Sequence, residues 1–239
     1  MTNSHYPQAI AIDGPAASGK TTVGKMLAVA LGYLFLDTGF MYRAVTLAVL
    51  ENNISIDDEA AVFELLTQLD IDVIQADLEK DGRLYTALLN GRDVTWEIRM
   101  ALVDNNVSQV ASYQSVRHNL VKRQRAIASR GRVVMVGRDI GTVVLPEASL
   151  KLYITASPAE RARRRWQEKV DRGQDTPDYD QILSDIIRRD EIDSSRKFSP
   201  MRPADDAILM DTTERPPESI VEDILALPHF SAEQAAARE

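Results

Sequence analysis

Apolar runs and helical spacings alternate along much of the 239-residue chain. Gln8 to Ile12 is a short apolar run. From Gly19 onward Val23, Met26, Leu27, Ala30 and Leu31 recur at the i, i+3, i+4, i+7, i+8 spacing of one helix face, so the opening predicts a strand followed by a helix. Tyr33 to Leu36 reads as a second strand and Met41 to Leu50 as a second helix. Arg132 to Val136, Leu150 to Ile154 and Ala207 to Met210 supply three more apolar runs. Runs of this kind fit strands buried on both faces, and five of them separated by helices predict an α/β fold with a parallel sheet covered on each side. Between about Ile71 and Val94 the pattern breaks into short alternating pieces with turn signals at Lys80-Asp81-Gly82 and Asn90-Gly91, which predicts a small antiparallel insert. Arg117 to Arg138 reads mostly as an amphipathic helix, with Leu120 and Ile127 inward and Lys122, Arg123 and Arg125 outward. Ser231 to Glu239 is alanine-rich and polar and is expected to be disordered.

Composition narrows the class. With 44% hydrophobic and 27% charged residues, the chain can bury a sizeable core as one large domain, or as a core with an insert. A net charge of −8 argues against bulk attraction to nucleic acid or to an anionic membrane unless the basic residues are segregated. They are: Glu51 to Asp81 holds ten acids and one base, whereas Arg117 to Arg138 holds seven bases and no acid. The absence of cysteine excludes disulfides and thiolate metal sites, and three scattered histidines argue against zinc. Met1 to Gln8 lacks the features of a signal peptide, and no run approaches a membrane span. A soluble cytoplasmic protein is expected, with no membrane or nucleic-acid partner.

Gly14-Pro15-Ala16-Ala17-Ser18-Gly19-Lys20-Thr21 matches the P-loop pattern G-x-x-x-x-G-K-[ST] in full, between a predicted strand and a predicted helix. Glycines let the backbone curl so that successive N–H groups face phosphates, Lys20 adds a positive charge, and Thr21 or Thr22 can offer a hydroxyl to Mg2+. The plainer reading is a glycine turn with a solvated lysine. No N-K-x-D segment or L-S-G-G-Q signature accompanies the loop, which disfavours GTPases and ABC ATPases. An acid closing a strand, Asp37 or Asp211, could serve the metal or simply a turn.

Two further loops follow strands where an open α/β sheet binds ligands. One is Leu36-Asp37-Thr38-Gly39-Phe40-Met41-Tyr42-Arg43, the other Gly137-Arg138-Asp139-Ile140-Gly141-Thr142. With the P-loop and Arg188-Arg189-Asp190-Glu191-Ile192-Asp193-Ser194-Ser195-Arg196, they closely resemble the bacterial cytidylate kinases in order and spacing, over about residues 8 to 227. The resemblance implies phosphoryl transfer from ATP to CMP or dCMP, on a P-loop nucleoside monophosphate kinase fold with an enlarged monophosphate-binding insert and a short mobile lid. It divides the chain into a P-loop core (1–37, 131–155 and 197–228), a monophosphate-binding region (38–130, with the antiparallel insert at about 71–94), a lid with its following helix (156–196) and a tail (229–239).

Residue by residue, the resemblance assigns the ATP phosphates to Gly14 through Thr22 and the CMP phosphate chiefly to Arg43 and Arg138. Arg189 and Asp193 meet the ribose, Arg196 lies near the transferred phosphate, and Lys20, Arg138 and Arg196 form the catalytic set. Cytosine falls to Ser108, Arg117 and Asp139, with Thr38 beside them and Tyr42 in the same loop. The chemistry is complementary: a carboxylate suits the N4 amino donor, an arginine or hydroxyl the N3 and O2 acceptors, and uracil would set O4 against Asp139. The resemblance breaks at one position. The family pattern carries an acid just before the glycine of Gly137-Arg138-Asp139, and this chain has Val136. The metal is then left to Thr21 or Thr22, phosphate oxygens, water and Asp37 or Asp13.

The knot Arg161, Arg163, Arg164 and Arg165 reads as the lid, Arg161 and Arg165 sharing a helix face. The plainer reading, surface arginines pairing with Glu168 and Asp171, is expected for at least two of the four. Trp96 and Trp166 read as packing or hinge contacts rather than base-stacking platforms. Rival readings are a P-loop kinase of another small molecule and a nucleotide-binding protein without transfer activity. Nothing in the sequence calls for an oligomer, so a monomer is expected.

Overall fold

In the computed structural model, residues 6–75, 83, 85–171 and 178–230 are described. The chain runs β1 (Ala9–Asp13), α1 (Lys20–Leu31), β2 (Leu34–Asp37), α2 (Gly39–Glu51), α3 (Glu59–Gln68), β3 (Ile71–Gln75), β4 (Tyr85–Leu89), β5 (Arg92–Asp93), α4 (Ala101–Val110) and α5 (Gln114–Ala128). It continues through β6 (Val133–Gly137), β7 (Leu150–Thr155), α6 (Pro158–Asp171), α7 (Tyr179–Ser195), β8 (Ile208–Asp211) and α8 (Pro217–Leu225). Contacts divide it into two units, Met1–Phe35 with Ala128–Glu239, and Leu36–Ile127.

The first unit is built on a five-stranded parallel sheet of order β2-β6-β1-β7-β8. All five expected strands form, each displaced by no more than a residue or so from its apolar run. Ile10, Ile12, Val134, Val136, Leu152 and Ile154 are almost wholly buried, and each such side chain contributes roughly 1.5–3 kcal/mol of burial. Helix α1 packs on β6 and α8. Its buried stripe is Val23, Gly24, Leu27 and Ala28. Of the expected stripe, Val23 and Leu27 lie in the core and half-buried Met26 and Leu31 pack against it; only Ala30 departs, being exposed, while Gly24 joins the buried face, where a Cβ would lie 2.6 Å from Val136. Helices α6 and α7 pair through Ala162, Ile182 and Ile186, with Trp166 against them as a packing residue.

The second unit is centred on α2, whose residues Phe40 to Tyr42 and Ala44 to Val49 are all buried. A helix apolar nearly all round must be enclosed, and α3, α4, β4 and the 3-10 turn Glu97–Arg99 pack on it. A three-stranded antiparallel sheet, β3-β4-β5, lies between Ile71 and Asp93. Along β4, Tyr85, Ala87 and Leu89 are buried and alternate with half-buried Thr86 and Leu88. Leu89 pairs with Arg92 across a two-residue loop. Asn90 (φ 50°) and Gly91 (φ 77°) both take the left-handed backbone that such a tight hairpin demands. The expected turn at Lys80-Asp81-Gly82 lies outside the described residues, as do Arg172 and the tail from Ser231.

Helix α5 begins before Arg117 and ends at Ala128, so the expected helix from Arg117 to Arg138 is shorter, its far end being strand β6. Leu120 is buried, Ile127 only half so, and Lys122 and Arg125 are exposed. Arg123 departs from the expected outward position. It donates to the carbonyls of Leu69 (2.9 Å) and Leu66 (3.3 Å) at the end of α3.

Candidate active site

The chain passes from β1 to α1 through Gly14 to Gly19. Gly14 has φ 148°, and a Cβ there would lie 2.0 Å from the Ile154 carbonyl oxygen on β7, so only glycine fits. Ala17 (φ 58°) and Gly19 (φ 84°) are left-handed, a curl that turns successive N–H groups toward one point and makes an anion nest. No side chain caps α1, and its first turn carries no acid. Its first N–H groups and the positive end of its dipole therefore point at the nest. Lys20 is 6% exposed and its Nζ donates to the Pro15 carbonyl at 2.7 Å. Wholly buried Ser18 accepts, through its carbonyl, the Thr212 hydroxyl at 3.0 Å. Thr21 is half-buried and Thr22 exposed.

Asp13, the last residue of β1, is 4% exposed. Its Oδ1 accepts the Ile140 N–H at 2.7 Å and its Oδ2 the Gly141 N–H at 2.8 Å. Burial pushes its carboxyl up to about 6, against the downward pull of those two donors, with Asp139 adding to the rise and Lys20 opposing it. The folded chain therefore holds this proton more tightly than the unfolded chain, where the value is near 3.8. Stability from this group is full below about 3.8 and lost as pH rises through about 6. At neutral pH the ionised, buried carboxylate costs the fold on the order of 3 kcal/mol.

Arg138 and Asp139 follow β6. Arg138 donates through Nε to Asp193 Oδ2 at 3.1 Å, and Arg196 donates to Asp193 Oδ1. Burial alone would raise the Asp193 carboxyl, but Arg138, Arg196 and Arg189 outweigh it and hold the group below the usual carboxylate range. The first unit thus gathers Arg138, Arg189, Asp193 and Arg196 around one carboxylate that is 2% exposed. Asp139, 4% exposed, precedes a single π-helical turn, Ile140–Val144.

The arginines of α6 behave differently from the expected set. Arg161 is 3% exposed and donates to Ala156 O (3.0 Å), Ala16 O of the phosphate loop (3.3 Å) and Asp190 (2.6 Å). It does not share an open face with Arg165. Arg165 pairs with Glu168, as the plainer reading had it, but Asp171 accepts from Gln167 instead of an arginine. Arg163 and Arg164 both bind Glu160, and Arg163, with Arg164 helping against partial burial, holds that carboxyl down at about 2. Arg164 also reaches Thr212, through its hydroxyl (3.0 Å) and its carbonyl (2.5 Å). A cleft of about 490 Å3 beside the loop is lined by Gly19, Thr22, Arg164, Thr212 and Arg215, among others.

The second unit holds Thr38, Tyr42, Arg43, Ser108 and Arg117, on α2, α4, α5 and the turn before α2. Arg43 is the one charged side chain inside the buried stretch of α2. It donates to Ile98 O at 2.9 Å and to Asp104 at 2.5 Å. Ser108, one turn beyond Asp104 on α4, is 9% exposed. Arg117, 4% exposed, donates to Ala111 O at 3.0 Å and stands 5.2 Å over the Tyr42 ring, a cation–π contact. Trp96 departs from a purely packing role: it is 40% exposed, with Arg99 5.4 Å over its ring.

The two strand-ending acids both serve turns. Asp37 accepts the Gly39 N–H (3.0 Å), and exposed Asp211 accepts the Thr213 N–H (2.8 Å) and hydroxyl (2.5 Å). Val136 lies in the apolar cluster with Ile12, Val23 and Leu27 and offers no ligand. Among the described residues no three acidic or histidine side chains gather. The donor set still fits Mg2+, which commonly takes one or two protein oxygens and fills its octahedron with phosphate oxygens and water; Thr21 and Thr22 carry hydroxyls at the loop. Sequence reasoning missed Thr212 and Asp104. Asp104 had a signal, its helical spacing of four from Ser108.

The cytidylate kinase family model matches residues 10–229. A cytidylate kinase of Chloroflexus aggregans is 54% identical over 204 residues, 85% of this chain and 86% of the relative. One from Roseiflexus castenholzii is 51% identical over 220 residues, covering 92% and 93%, and one from Bacillus subtilis 46% identical over 216 residues, covering 90% and 94%.

Proposed function

The chain belongs to the cytidylate kinase family, and from that premise we propose how its residues carry phosphoryl transfer from ATP to CMP and dCMP. It is a nucleoside monophosphate kinase that phosphorylates CMP with ATP. The observation that carries the residue-level reading is the phosphate loop: left-handed Ala17 and Gly19, an uncapped α1 and buried Lys20 leave a set of N–H donors and one cation with no acid among them.

Gly14 through Thr22 hold the ATP phosphates, and the adjoining cleft at Thr212 and Arg164 takes the nucleoside end. Lys20 spreads its charge over the transferring group. When bound through Thr21 and Thr22, Mg2+ supplies charge neutralisation across the outer phosphates. The residues assigned to the acceptor are Thr38, Tyr42, Arg43, Ser108 and Arg117 in the second unit and, separately, Arg138, Asp139, Arg189, Asp193 and Arg196 in the first. Arg43 and Arg138 bind the CMP phosphate. Arg138 and Arg196 are already oriented by Asp193, whose oxygens each keep a lone pair for a ribose hydroxyl. Ser108, Arg117 and Asp139 read cytosine.

No residue needs to act as a base. The second pKa of a phosphate monoester is near 6, so the attacking CMP oxygen is already anionic at neutral pH. The barrier is the approach of two polyanions, which positioning and fixed cations lower. Among the described residues no helix is long and apolar enough to cross a membrane. The enzyme acts as a cytoplasmic monomer on free nucleotides. Asp139→Asn tests the base reading. The amide can donate to O4, so the ratio of kcat/KM for CMP to that for UMP should fall at least about tenfold. An unchanged ratio would remove Asp139 from base recognition.

A further inference from the structure

We propose that Asp13 is a positioning residue for acceptor recognition, its carboxylate fixing the backbone from which Arg138 and Asp139 project. This rests on the reading of Arg138 and Asp139 as CMP ligands. The π-helical turn Ile140–Val144 begins immediately after Asp139, and a helical turn leaves its first N–H groups without partners of its own. The later groups are satisfied within the turn: Val143 and Val144 donate to Asp139 O, and Leu145 to Ile140 O. The first two, Ile140 and Gly141, both end on Asp13, at 2.7 and 2.8 Å, one on each carboxylate oxygen.

The placement joins two motifs. Asp13 precedes Gly14 of the phosphate loop and pairs in register with Gly137 across β1 and β6, while its side chain reaches 127 and 128 residues along the chain. A single carboxylate therefore ties the donor-phosphate loop to the loop carrying Arg138 and Asp139. Two N–H bonds to adjacent residues fix the position and the rotation of that backbone, which a single bond would leave free to swing. The groups acting on Asp13 from its surroundings are Asp139, of like charge, and Lys20, of opposite charge. An ionised group kept at 4% exposure beside another acid is unfavourable for folding alone and is the kind of local cost that collects at functional sites. A neutral isostere could pair with only one of the two N–H groups, because its amide nitrogen would face the other donor-to-donor.

The test is steady-state kinetics on Asp13→Asn and Asp13→Glu, with Arg138→Lys as control and circular dichroism to verify folding. Losing one of two charge-assisted hydrogen bonds should raise KM for CMP about tenfold and lower CMP-over-UMP discrimination by a similar factor. KM for ATP should stay within about twofold. Glu keeps the charge but moves the oxygens outward by a methylene, and should show the same split. Unchanged CMP parameters, or equal loss toward ATP and CMP, would overturn the proposal. If Arg138→Lys leaves KM for CMP unchanged, the underlying reading of Arg138 fails instead. Should neither Asp13 variant fold, amide hydrogen exchange on the unaltered enzyme decides: Ile140 and Gly141 should be protected to the level of β6, and loop-like exchange there would contradict the carboxylate's hold.

Discussion

Arg138 and Arg196 in the first unit and Arg117 in the second are held by different kinds of acceptor. In the first, Arg138 and Arg196 share the Asp193 carboxylate and Arg161 binds Asp190. In the second, Arg117 leans on the Ala111 carbonyl and the Tyr42 ring, Arg123 on two helix-end carbonyls, and Arg43 on one carbonyl and one acid. A carboxylate cancels a guanidinium's charge, whereas a carbonyl or a ring orients it and leaves most of the charge for another anion. In the first unit Asp193 thus presets its arginines, and with Arg138, Arg189 and Arg196 set against one carboxylate the cluster keeps net positive charge.

The largest effect expected from this contrast is at the phosphate loop. Lys20 donates to the Pro15 carbonyl within the phosphate loop, and Lys20→Met should lower kcat by about 10³ or more. Because Lys20 serves the ATP phosphates, CMP binding measured by calorimetry should change less than about threefold. A comparable loss of CMP affinity would break the separation of donor from acceptor residues. A smaller effect is expected at Asp104, the one acid on the second unit's phosphate arginine. Asp104→Asn keeps an acceptor for Arg43 but removes the opposing charge. KM for CMP should shift by only about two- to fourfold, with KM for ATP unmoved, since partly exposed ion pairs contribute modestly. A tenfold change would show that Arg43 depends on its acid as the first-unit arginines do.

The same contrast explains what the sequence made legible. The phosphate loop is contiguous, so residues 14 to 22 announce their chemistry by spacing, and the strands of a buried parallel sheet announce themselves as apolar runs. Helix α3 was hidden because its surroundings, from Glu51 to Asp81, read first as a run of acids. Only two of its side chains, Val62 and Leu66, are buried, too few for a strong periodicity. Helix α4 is similar, a short polar segment with its valines inward. The partners of the site arginines were illegible for a different reason. Asp104 meets Arg43 across 61 residues, Asp193 meets Arg138 across 55, and Asp13 meets Ile140 across 127. Motifs identify the cations, and only the fold shows which acids hold them. Arg161 is a similar case: helical spacing gives its face on α6, and only the fold shows that it reaches Asp190 on α7 and the Ala16 carbonyl of the phosphate loop.

The central claim, that a P-loop donor site and a cytosine-reading acceptor set act on one pair of nucleotides, is tested most directly by ADP formation at fixed ATP against a panel of CMP, dCMP, UMP, dTMP and AMP. The account predicts rapid ADP formation with CMP and dCMP and, through the repulsion of O4 by Asp139, kcat/KM for UMP lower by a factor of about ten or more. Phosphorylation of UMP or AMP as efficient as that of CMP would contradict it.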